Sequence, residues 1–406
     1  MVVDCALNVC QLMSADVFIV AARRTPIGAF QGALSAVTAP ELGSIAARAA
    51  LHDAGVAASS IDEAIFGCVL AAGLGQAPAR QAALAAGMAA SVPATTLNKM
   101  CGSGMKAVML ACEQIRAGSA SVIVAGGFES MSNAPYLLPK ARQGYRMGHG
   151  QIIDHMLWDG LQNAYGERES MGVFAENTAQ KFGFSRIDQD AFATESVRRA
   201  LAAVNDGRFG AEITPVTVKD RKAERVVDTD ETPFTCDIGK IAQLKPAFRS
   251  DGTVTAASSS SISDGAAAVV LADTQTVERL KLRPLARVVS YVSHAQAPEW
   301  FTTAPVGAIA KLLRKIDWPV DQVDLFEINE AFACVTMAAM RELGISSARV
   351  NIYGGACALG HPIGATGARI LTTLVHAMRG RNAQRGIASL CIGGGEATAM
   401  AIELCD

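Results

Sequence analysis

Short apolar runs alternate with longer amphipathic segments along most of the chain. The runs at residues 16–21, 121–125 and 386–392 are dominated by apolar side chains and predict strands. Residues 40–53 and 186–206 place apolar side chains at helical spacing and predict helices. Because strands and helices alternate, the sequence predicts a layered α/β fold with a largely parallel or mixed sheet.

Residues 98–106, with the sequence NKMCGSGMK, lie between a predicted strand at 92–97 and a predicted helix. The glycines that follow Cys101 permit a tight turn, and the positive end of the helix favours a thiolate. We interpret Cys101 as a candidate nucleophile, although a small buried core cysteine fits this window equally well. The helix is indicated by apolar side chains that share one face: Met105, Val108, Met109, Cys112 and Ile115.

The C-terminal part of the chain repeats this order of turn, helix and strand. Gly360 and His361 begin a turn, a helical pattern follows, and residues 389–394 (SLCIGG) predict a strand that runs into glycines. The matching strand in the N-terminal part, residues 122–127, has the sequence VIVAGG. This repetition indicates a fold that arose by duplication.

Residues 133–259 interrupt the repeat with a more polar segment. The segment contains several charge clusters, among them the run KDRKAER at residues 219–225. Such runs usually lie on solvated surfaces. We therefore predict three parts: an N-terminal half of residues 14–132 and 260–284, an inserted domain of residues 133–259, and a C-terminal half of residues 285–406.

Composition narrows the classes of protein that remain. Of the 406 residues 50% are hydrophobic and 18% are charged, and the formal net charge of -2 gives no signature of nucleic-acid binding. No apolar run approaches the length that spans a bilayer, and the N-terminus lacks the patterns of secretory and organelle signals. The ten cysteines include no C-x-x-C pair, which argues against zinc ribbons and dithiol redox sites. We expect a cytoplasmic protein with reduced thiols and with no membrane or nucleic-acid partner.

Three further residues suit the chemistry of Cys101. Asn329 opens the run NEAFA, where we predict a helix start, and an N-cap role alone would explain it. His361 stands among glycines and is equally compatible with a structural imidazole, while Cys391 by itself fits a core position. Taken together, a nucleophile, a base and a second acid–base thiol match what acyl transfer requires.

Four sequence blocks together resemble the thiolase family: NKMCGSGMK, NEAFA, GGACALGHPIGATGARI and SLCIGGGEATAM. They occur in the order found in that family, and the run DGAA at residues 264–267 belongs to the same pattern. The resemblance covers essentially everything after Asp16, and within the family the chain is most similar to the acetyl-CoA acetyltransferases. It implies a duplicated, five-layered αβαβα fold with an inserted loop domain.

The resemblance also implies a mechanism. Cys101 would accept an acyl group from an acyl-CoA after His361 removes its proton, and Cys391 would move a proton at the α-carbon of a second acetyl-CoA. One oxyanion hole would combine His361 with a water held by Asn329, and the other would use the backbone N–H groups of Cys101 and Gly393. The expected reaction is the reversible Claisen condensation of two acetyl-CoA to acetoacetyl-CoA and CoA, with no metal or redox cofactor.

Contacts with the substrate follow from the same resemblance. Ser260 matches the serine that contacts pantetheine, and Arg221, in the basic run, falls where the adenine nucleotide is held. Met171 and Phe248 match positions that restrict the acyl group to short chains. The full set of predicted residues that bind substrate or CoA is Ser260, Arg221, Met171, Phe248, Phe332 and Leu161.

Several finer properties stay open. Ser170 stands where many biosynthetic thiolases carry histidine, and Ser258 stands at an asparagine position, so the acyl preference is not settled. Residues 140–159 resemble the loop through which thiolases form tetramers, which implies a homotetramer.

The alternatives to an acetyltransferase belong to two classes. One is a degradative 3-ketoacyl-CoA thiolase of broader chain length, and the other is a catalytically silent protein of the same fold that binds acyl-CoA or lipid. A ketoacyl synthase uses a histidine or glutamate where this chain has Cys391, and a cysteine hydrolase has no need of that thiol.

Overall fold

The computed structural model describes residues 16–219 and 224–405, so the predicted nucleotide-binding Arg221 lies outside the described residues. None of the helices in this part of the chain is both long and apolar enough to cross a membrane. The strands are β1 (Val17–Arg24), β2 (Gly28–Ala29), β3 (Glu63–Gly67), β4 (Ala94–Leu97), β5 (Val122–Ser130), β6 (Tyr136–Leu137), β7 (Ile153–Asp154), β8 (Val216–Lys219), β9 (Glu224–Val227), β10 (Ser263–Asp273), β11 (Ala286–Ala295), β12 (Leu325–Ile328), β13 (Arg385–Ile392) and β14 (Glu396–Leu404). The α-helices are α1 (Ala39–Ala54), α2 (Pro78–Ala85), α3 (Ser103–Arg116), α4 (Met171–Phe182), α5 (Arg186–Asn205), α6 (Thr232–Thr235), α7 (Thr274–Leu280), α8 (Ala304–Ile316), α9 (Ala333–Leu343), α10 (Ala356–Leu359) and α11 (Thr366–Arg381).

One mixed sheet runs through the molecule and consists of two halves that share a four-strand order, to which the N-terminal half adds the edge strand β4. The N-terminal half has the order β4-β3-β5-β10-β1, and the C-terminal half has the order β12-β13-β14-β11. In the first, β3 is parallel to β4 and β5, and β10 is antiparallel to β5 and β1. In the second, β12 is parallel to β13, and β14 is antiparallel to β13 and β11. The shared pairing confirms the predicted duplication.

The two halves are joined where β1 meets β11. These strands pair antiparallel through Phe18 with Arg287 and Ile19 with Ala286. Together with β2, which pairs with β10, the joined halves make one sheet of ten strands. Only β1 and β11 pair across this junction, and the other strands of the sheet pair within their own half.

Helices form three layers around the half-sheets. α3 and α11 pack against each other between the two halves, α1 and α2 cover the outer face of the N-terminal half, and α8 and α9 cover that of the C-terminal half. On β5, Ile123 and Ala125 face the central helices, while Val122 and Val124 face the outer ones. A strand that is buried on both faces is apolar at every position, which explains its sequence. The predicted five-layered architecture is confirmed.

Residues 133–259 add no strand to the large sheet in the part that the structure describes. They contain the two-stranded sheets β6–β7 and β8–β9 and the helices α4, α5 and α6. α5 is less exposed than its polar composition suggests, because Val197, Ala200 and Ala203 belong to the central core. The division into three parts, with its exact bounds, stays a prediction.

A buried arginine ties this segment to the core. Arg24, at the end of β1, is fully buried, with its guanidinium 2.6 Å from Glu212 and 2.7 Å from Asp230. Burial acts to lower the pKa of Arg24, but the two carboxylates outweigh it, and the net direction is upward. Because removing one member of a buried ion pair leaves an uncompensated charge, the three side chains stabilise this junction only as a set.

The helix predicted from Asn329 onward begins later in the structure. α9 starts at Ala333, and Phe332 before it is extended. The Asn329 N–H donates to the carbonyl of Ser389 in β13 at 3.0 Å, so Asn329 continues the course of β12. Asn329 is therefore not an N-cap, which removes the structural explanation for an asparagine at this position.

Candidate active site

A cavity with a volume of about 650 Å³ collects residues from distant parts of the chain. Its wall includes the π-helical segment Met156–Leu161, the start of α4 and the loops that follow β12 and β13. Asn329 and Cys391 do not line the cavity and are buried. The predicted residues that do line it are Cys101, His361, Gly393, Ser260, Met171, Phe248, Phe332 and Leu161.

Cys101 stands on a tight turn between β4 and α3. Met100 before it has a φ of 47°, in the left-handed region that residues other than glycine rarely adopt. The hydroxyl of Ser103 holds the turn, because it accepts the Lys99 N–H at 2.8 Å and donates to the Met100 carbonyl at 2.6 Å. Gly102 is required here, since a Cβ would overlap a side chain of β13. The turn presents Cys101 to the cavity, as predicted.

The thiol of Cys101 is harder to ionise than its position before α3 suggests. Burial raises its pKa to about 11, even though the N–H groups of Gly393 and of Cys101 itself act on the sulfur and lower the pKa in part. The expectation that this position favours a thiolate is therefore wrong in its net effect, because desolvation outweighs the donors. In the free protein Cys101 is a thiol, and its activation needs a base.

His361 is held as a neutral imidazole with one free nitrogen. Its Nδ1 lies 2.7 Å from the hydroxyl of Thr366, and that hydroxyl donates its proton to the Pro362 carbonyl at 2.9 Å. With the hydroxyl proton so placed, the imidazole proton is assigned to Nδ1. Nε2, which is buried and has no hydrogen-bond partner among the described residues, can then accept a proton. Burial, followed by the charge of Arg369, lowers the pKa of His361 to about 3. This tautomer is the one that a general base requires.

The side chain of Asn329 is buried without partners. It is 1% exposed, and neither its Oδ1 nor its Nδ2 has a hydrogen-bond partner among the described residues. An unsatisfied buried amide costs free energy, so such a group calls for a ligand or an ordered water. The geometry is compatible with the predicted role, in which Asn329 holds a water near His361.

Cys391 lies at the end of β13, in an apolar cluster with Phe332 and Cys334. It is fully buried, and burial, followed by the neighbouring Cys101 thiol, raises its pKa well above the usual value for cysteine. The two thiols are thus close enough to interact, although only Cys101 lines the cavity. At neutral pH Cys391 is a protonated thiol.

The backbone after Cys391 has the conformation of a glycine turn. Gly394 and Gly395 have φ values of 91° and 87°, which side chains rarely adopt. Gly393 stays open to the cavity, where the nearest atom to a hypothetical Cβ is the Met171 sulfur at 3.8 Å. The glycine run therefore leaves the Gly393 N–H accessible beside the Cys101 sulfur.

Aromatic and thioether groups form one apolar wall of the cavity. Phe248 packs edge to face on Phe332, with ring centroids 5.8 Å apart, and Met171 belongs to the same cluster. Gly172 permits this packing, because a Cβ there would overlap the ring of Phe248. These contacts close off space beside the reactive groups.

The two departures from the family pattern have different positions. Ser170 precedes α4 and lines the cavity. Ser258 is fully buried and does not line the cavity, and its hydroxyl accepts the Thr255 N–H at 2.8 Å. Only Ser170 is therefore placed to change a contact with the substrate.

Sequence reasoning missed a buried glutamate beside the site. The carboxylate of Glu129 accepts the N–H groups of Val69 and Leu70 at 3.0 Å and that of Gly364 at 2.9 Å. It thereby joins the end of β3 to the turn that carries His361. Burial, opposed by these donors, raises its pKa to about 7. The sequence did contain a signal for this residue, because Glu129 is a single charged residue near the end of the otherwise uncharged strand VIVAGGFES.

Comparison with known proteins now assigns this arrangement to a family. Family models described as "Thiolase, N-terminal domain" and "Thiolase, C-terminal domain" match residues 17–275 and 282–404. The chain therefore belongs to the thiolase family and is an acyltransferase enzyme of that family.

Individual relatives point to one group of thiolases. The chain is 52% identical to an acetyl-CoA acetyltransferase of Pseudomonas aeruginosa, over 95% of this chain and 99% of that protein. The crystal structure of the Bacillus anthracis acetyl-CoA acetyltransferase matches with a TM-score of 0.94 and 42% identity, over 97% of this chain and 99% of that one. Acat5 thiolase from Ascaris suum, solved in complex with coenzyme A, matches with a TM-score of 0.91 and 41% identity, over 96% and 100% of the two chains. The predicted similarity to acetyl-CoA acetyltransferases is confirmed.

Proposed function

We propose that the protein is an acetyl-CoA C-acetyltransferase, which condenses two acetyl-CoA to acetoacetyl-CoA and CoA and catalyses the reverse cleavage. The names of its full-length relatives support this assignment. The structural observation that carries it is a cavity lined by the Cys101 thiol and by a neutral imidazole with a free Nε2, with the buried Cys391 thiol close enough to Cys101 to interact with it. A cysteine hydrolase would have no use for the second thiol.

In the first half-reaction the acetyl group moves to Cys101. Nε2 of His361 takes the thiol proton as the sulfur attacks the thioester carbon and keeps it, while the Cys391 thiol gives its proton to the CoA thiolate that leaves. Since the N–H groups of Cys101 and Gly393 act on the same sulfur, they are placed to donate to the carbonyl oxygen of the group attached there. An oxyanion donor of this kind contributes about 3–4 kcal/mol to transition-state stabilisation.

In the second half-reaction a carbon–carbon bond forms or breaks. In the cleavage direction Cys391 begins as a thiol and donates its proton to the α-carbon of the departing acetyl-CoA. In the synthetic direction the Cys391 thiolate left by acylation takes that proton, and the resulting enolate attacks the acetyl group on Cys101. The Cys101 thiolate that is then released recovers its proton from Nε2 of His361. His361 and a water on Asn329 hold the oxygen of this second thioester, because the other pair of donors serves the group on Cys101.

We further propose that the acyl group is short. The wall formed by Met171, Phe248 and Phe332 limits the space beside Cys101, which supports acetoacetyl-CoA over long 3-ketoacyl-CoA substrates. Ser260 and Leu161 line the cavity, which supports the proposal that they contact the pantetheine arm. The degradative alternative, with broad chain length, stays the second candidate, since Ser170 replaces a common histidine on this wall.

Neither half-reaction as proposed needs a metal or a redox cofactor, because proton transfer, thioester exchange and a carbon–carbon bond step involve no net change of oxidation state. A homotetramer is part of the proposal. Large apolar side chains are exposed on the segment around β6 and β7, where Tyr136 is 70% and Ile152 is 66% exposed, and such residues commonly mark an interface. Sedimentation analysis of the purified protein tests the tetramer. A monomer at micromolar concentration would refute it.

The deciding experiment is CoA-dependent cleavage of acetoacetyl-CoA and of a long-chain 3-ketoacyl-CoA. Wild type, Cys101→Ala and the control Cys236→Ala, whose thiol does not line the cavity, are compared. We expect cleavage of the short substrate by wild type and the control, and none by Cys101→Ala. Equal rates on both substrates would favour the degradative thiolase. Binding of CoA without turnover by wild type would favour a silent binding protein.

A further inference from the structure

The carboxylate of Glu330 is a buried junction directly after Asn329. Glu330 is 1% exposed and does not line the active-site cavity. Its Oε2 accepts the Ser196 hydroxyl of α5 at 2.6 Å and the Cys357 N–H of α10 at 3.1 Å. Its Oε1 accepts Nδ2 of Asn351 at 2.8 Å. The side chain therefore joins three segments that are distant in sequence.

The first connection fixes the residues on both sides of Asn329. Oδ1 of Asn351 accepts the Ile328 N–H at 2.8 Å, and its Nδ2 donates to the Ile328 carbonyl at 2.8 Å. The same Nδ2 donates to Glu330, so one amide holds Ile328 by its backbone and Glu330 by its side chain. The side chain of Asn329 has no hydrogen-bond partner among the described residues. Its position therefore depends on the backbone, which these two neighbours and the bond from the Asn329 N–H to Ser389 hold in place.

The second connection reaches the segment that leads to His361. The Ser196 hydroxyl, which donates to Glu330, also accepts the Gly355 N–H at 2.9 Å. Gly355 has no room for a Cβ, because the Glu330 carboxylate occupies that space. His361 has additional support, since its own N–H donates to Ser261 and its Nδ1 to Thr366. Loss of Glu330 would therefore disturb Asn329 more than His361.

We infer that Glu330 is a positioning residue that sets Asn329 for the carbon–carbon bond-forming half-reaction and contributes little to acylation of Cys101. This inference rests on the proposed function. It follows from the separation of the two oxyanion sites: Cys101 and Gly393 stand on the turns next to α3 and β13, whereas the hydrogen bonds of the Glu330 carboxylate in the described part of the chain go to Ser196, Asn351 and Cys357. Both oxygens of the Glu330 side chain accept hydrogen bonds and neither donates one, so the junction requires a carboxylate rather than an amide.

The test is Glu330→Gln. Glutamine keeps the size of the side chain but turns one oxygen into an NH₂ group that must face either Asn351 Nδ2 or the donors from Ser196 and Cys357. Asn351 cannot turn its amide to compensate, because Ile328 occupies both ends of it. The conflict of two donors displaces the loop, and a misplacement of about 1 Å costs on the order of 100-fold in rate.

Two assays separate the half-reactions. Exchange of labelled CoA into acetyl-CoA requires only acylation of Cys101, whereas cleavage of acetoacetyl-CoA also requires the carbon–carbon step. For Glu330→Gln we expect kcat for cleavage to fall at least about 10-fold more than the exchange rate, with KM for acetoacetyl-CoA little changed. A merely structural defect would lower both rates by the same factor.

The matched control is Asp324→Asn. Asp324 precedes the other end of β12 and accepts the N–H groups of Gln384 and Arg385, each at 2.8 Å, so its loss also removes a carboxylate that ties two segments. We expect this variant to keep the wild-type ratio of cleavage to exchange. The inference is overturned if Glu330→Gln keeps that ratio too, or if Asp324→Asn changes it equally.

A milder variant covers the case in which Glu330→Gln does not fold. Ser196→Ala removes one donor to the carboxylate and leaves Asn351 in place, so we expect a smaller shift of the ratio in the same direction. An unchanged ratio in folded Ser196→Ala, with Glu330→Gln unfolded, also overturns the inference. Wild-type protein that performs neither exchange nor cleavage would instead refute the proposed function.

Discussion

The hydroxyl of Thr366 is a sensitive point in the preparation of His361 as a base. It accepts the Nδ1–H of His361 and donates to the Pro362 carbonyl. The substitution Thr366→Val keeps the shape of the side chain and removes both bonds. The Nδ1–H is then buried without an acceptor, and the tautomer that carries its proton on Nε2 becomes competitive.

The size of the effect follows from the missing bond. A buried donor that loses its only acceptor costs about 1–3 kcal/mol. If this free energy appears in the balance between tautomers, the fraction of His361 that can act as a base falls about 5- to 150-fold. We expect kcat for acetoacetyl-CoA cleavage to fall within that range. KM changes little, because Thr366 does not line the cavity.

The assay is the single-turnover rate at which acetyl-CoA acetylates Cys101, followed as CoA release. Thr372→Val is the matched control, since Thr372 is also a fully buried residue of α11 but its hydroxyl has no partner among the described residues. We expect the control to acetylate at the wild-type rate. Equal losses in both variants, or an unchanged rate in folded Thr366→Val, would refute the assignment of the tautomer.

Three further predictions concern ionisation, buried charge and packing. Burial raises the pKa of Cys101 to about 11, so the thiolate is scarce at lower pH. The rate at which iodoacetamide alkylates Cys101 should therefore increase with pH up to about 11. A rate that reaches its plateau near pH 8, about the pKa of an ordinary cysteine, would contradict this prediction. Arg24→Met leaves the carboxylates of Asp230 and Glu212 buried without their cation. Denaturant titration should therefore show a loss of about 3–5 kcal/mol in the free energy of unfolding. A loss below about 1 kcal/mol would contradict the stabilising role of this buried ion-pair set. Gly367→Ala places a Cβ against the backbone of Met105 where α11 crosses α3. We expect the free energy of unfolding, measured by the same titration, to fall by about 1–3 kcal/mol. An unchanged free energy of unfolding would show that the two helices can move apart without cost.

Local sequence was a good guide to the elements of the fold. β5 was predicted from a short apolar run. It is apolar because both of its faces are buried, so the signal lies in consecutive residues and can be recognised from the local sequence. α11 and α3 were indicated by helical spacing for the same reason. The exception was Asn329, where helix-start chemistry was inferred from residue types although the backbone there continues β12. A local pattern cannot reveal a hydrogen bond to Ser389, which is distant in sequence.

The sequence by itself determined which residues could react, because Cys101 and His361 stand in glycine-rich turns and Cys391 lies in a strand just before one, and the conformation of such turns is a local property. The tertiary structure alone decided how they react. The raised pKa of the Cys101 thiol comes from desolvation, and the free Nε2 of His361 comes from the orientation of Thr366 and the burial around it. Burial of a group and its hydrogen-bond partners both depend on residues from distant parts of the chain. They are therefore established only when the layers of the fold pack together.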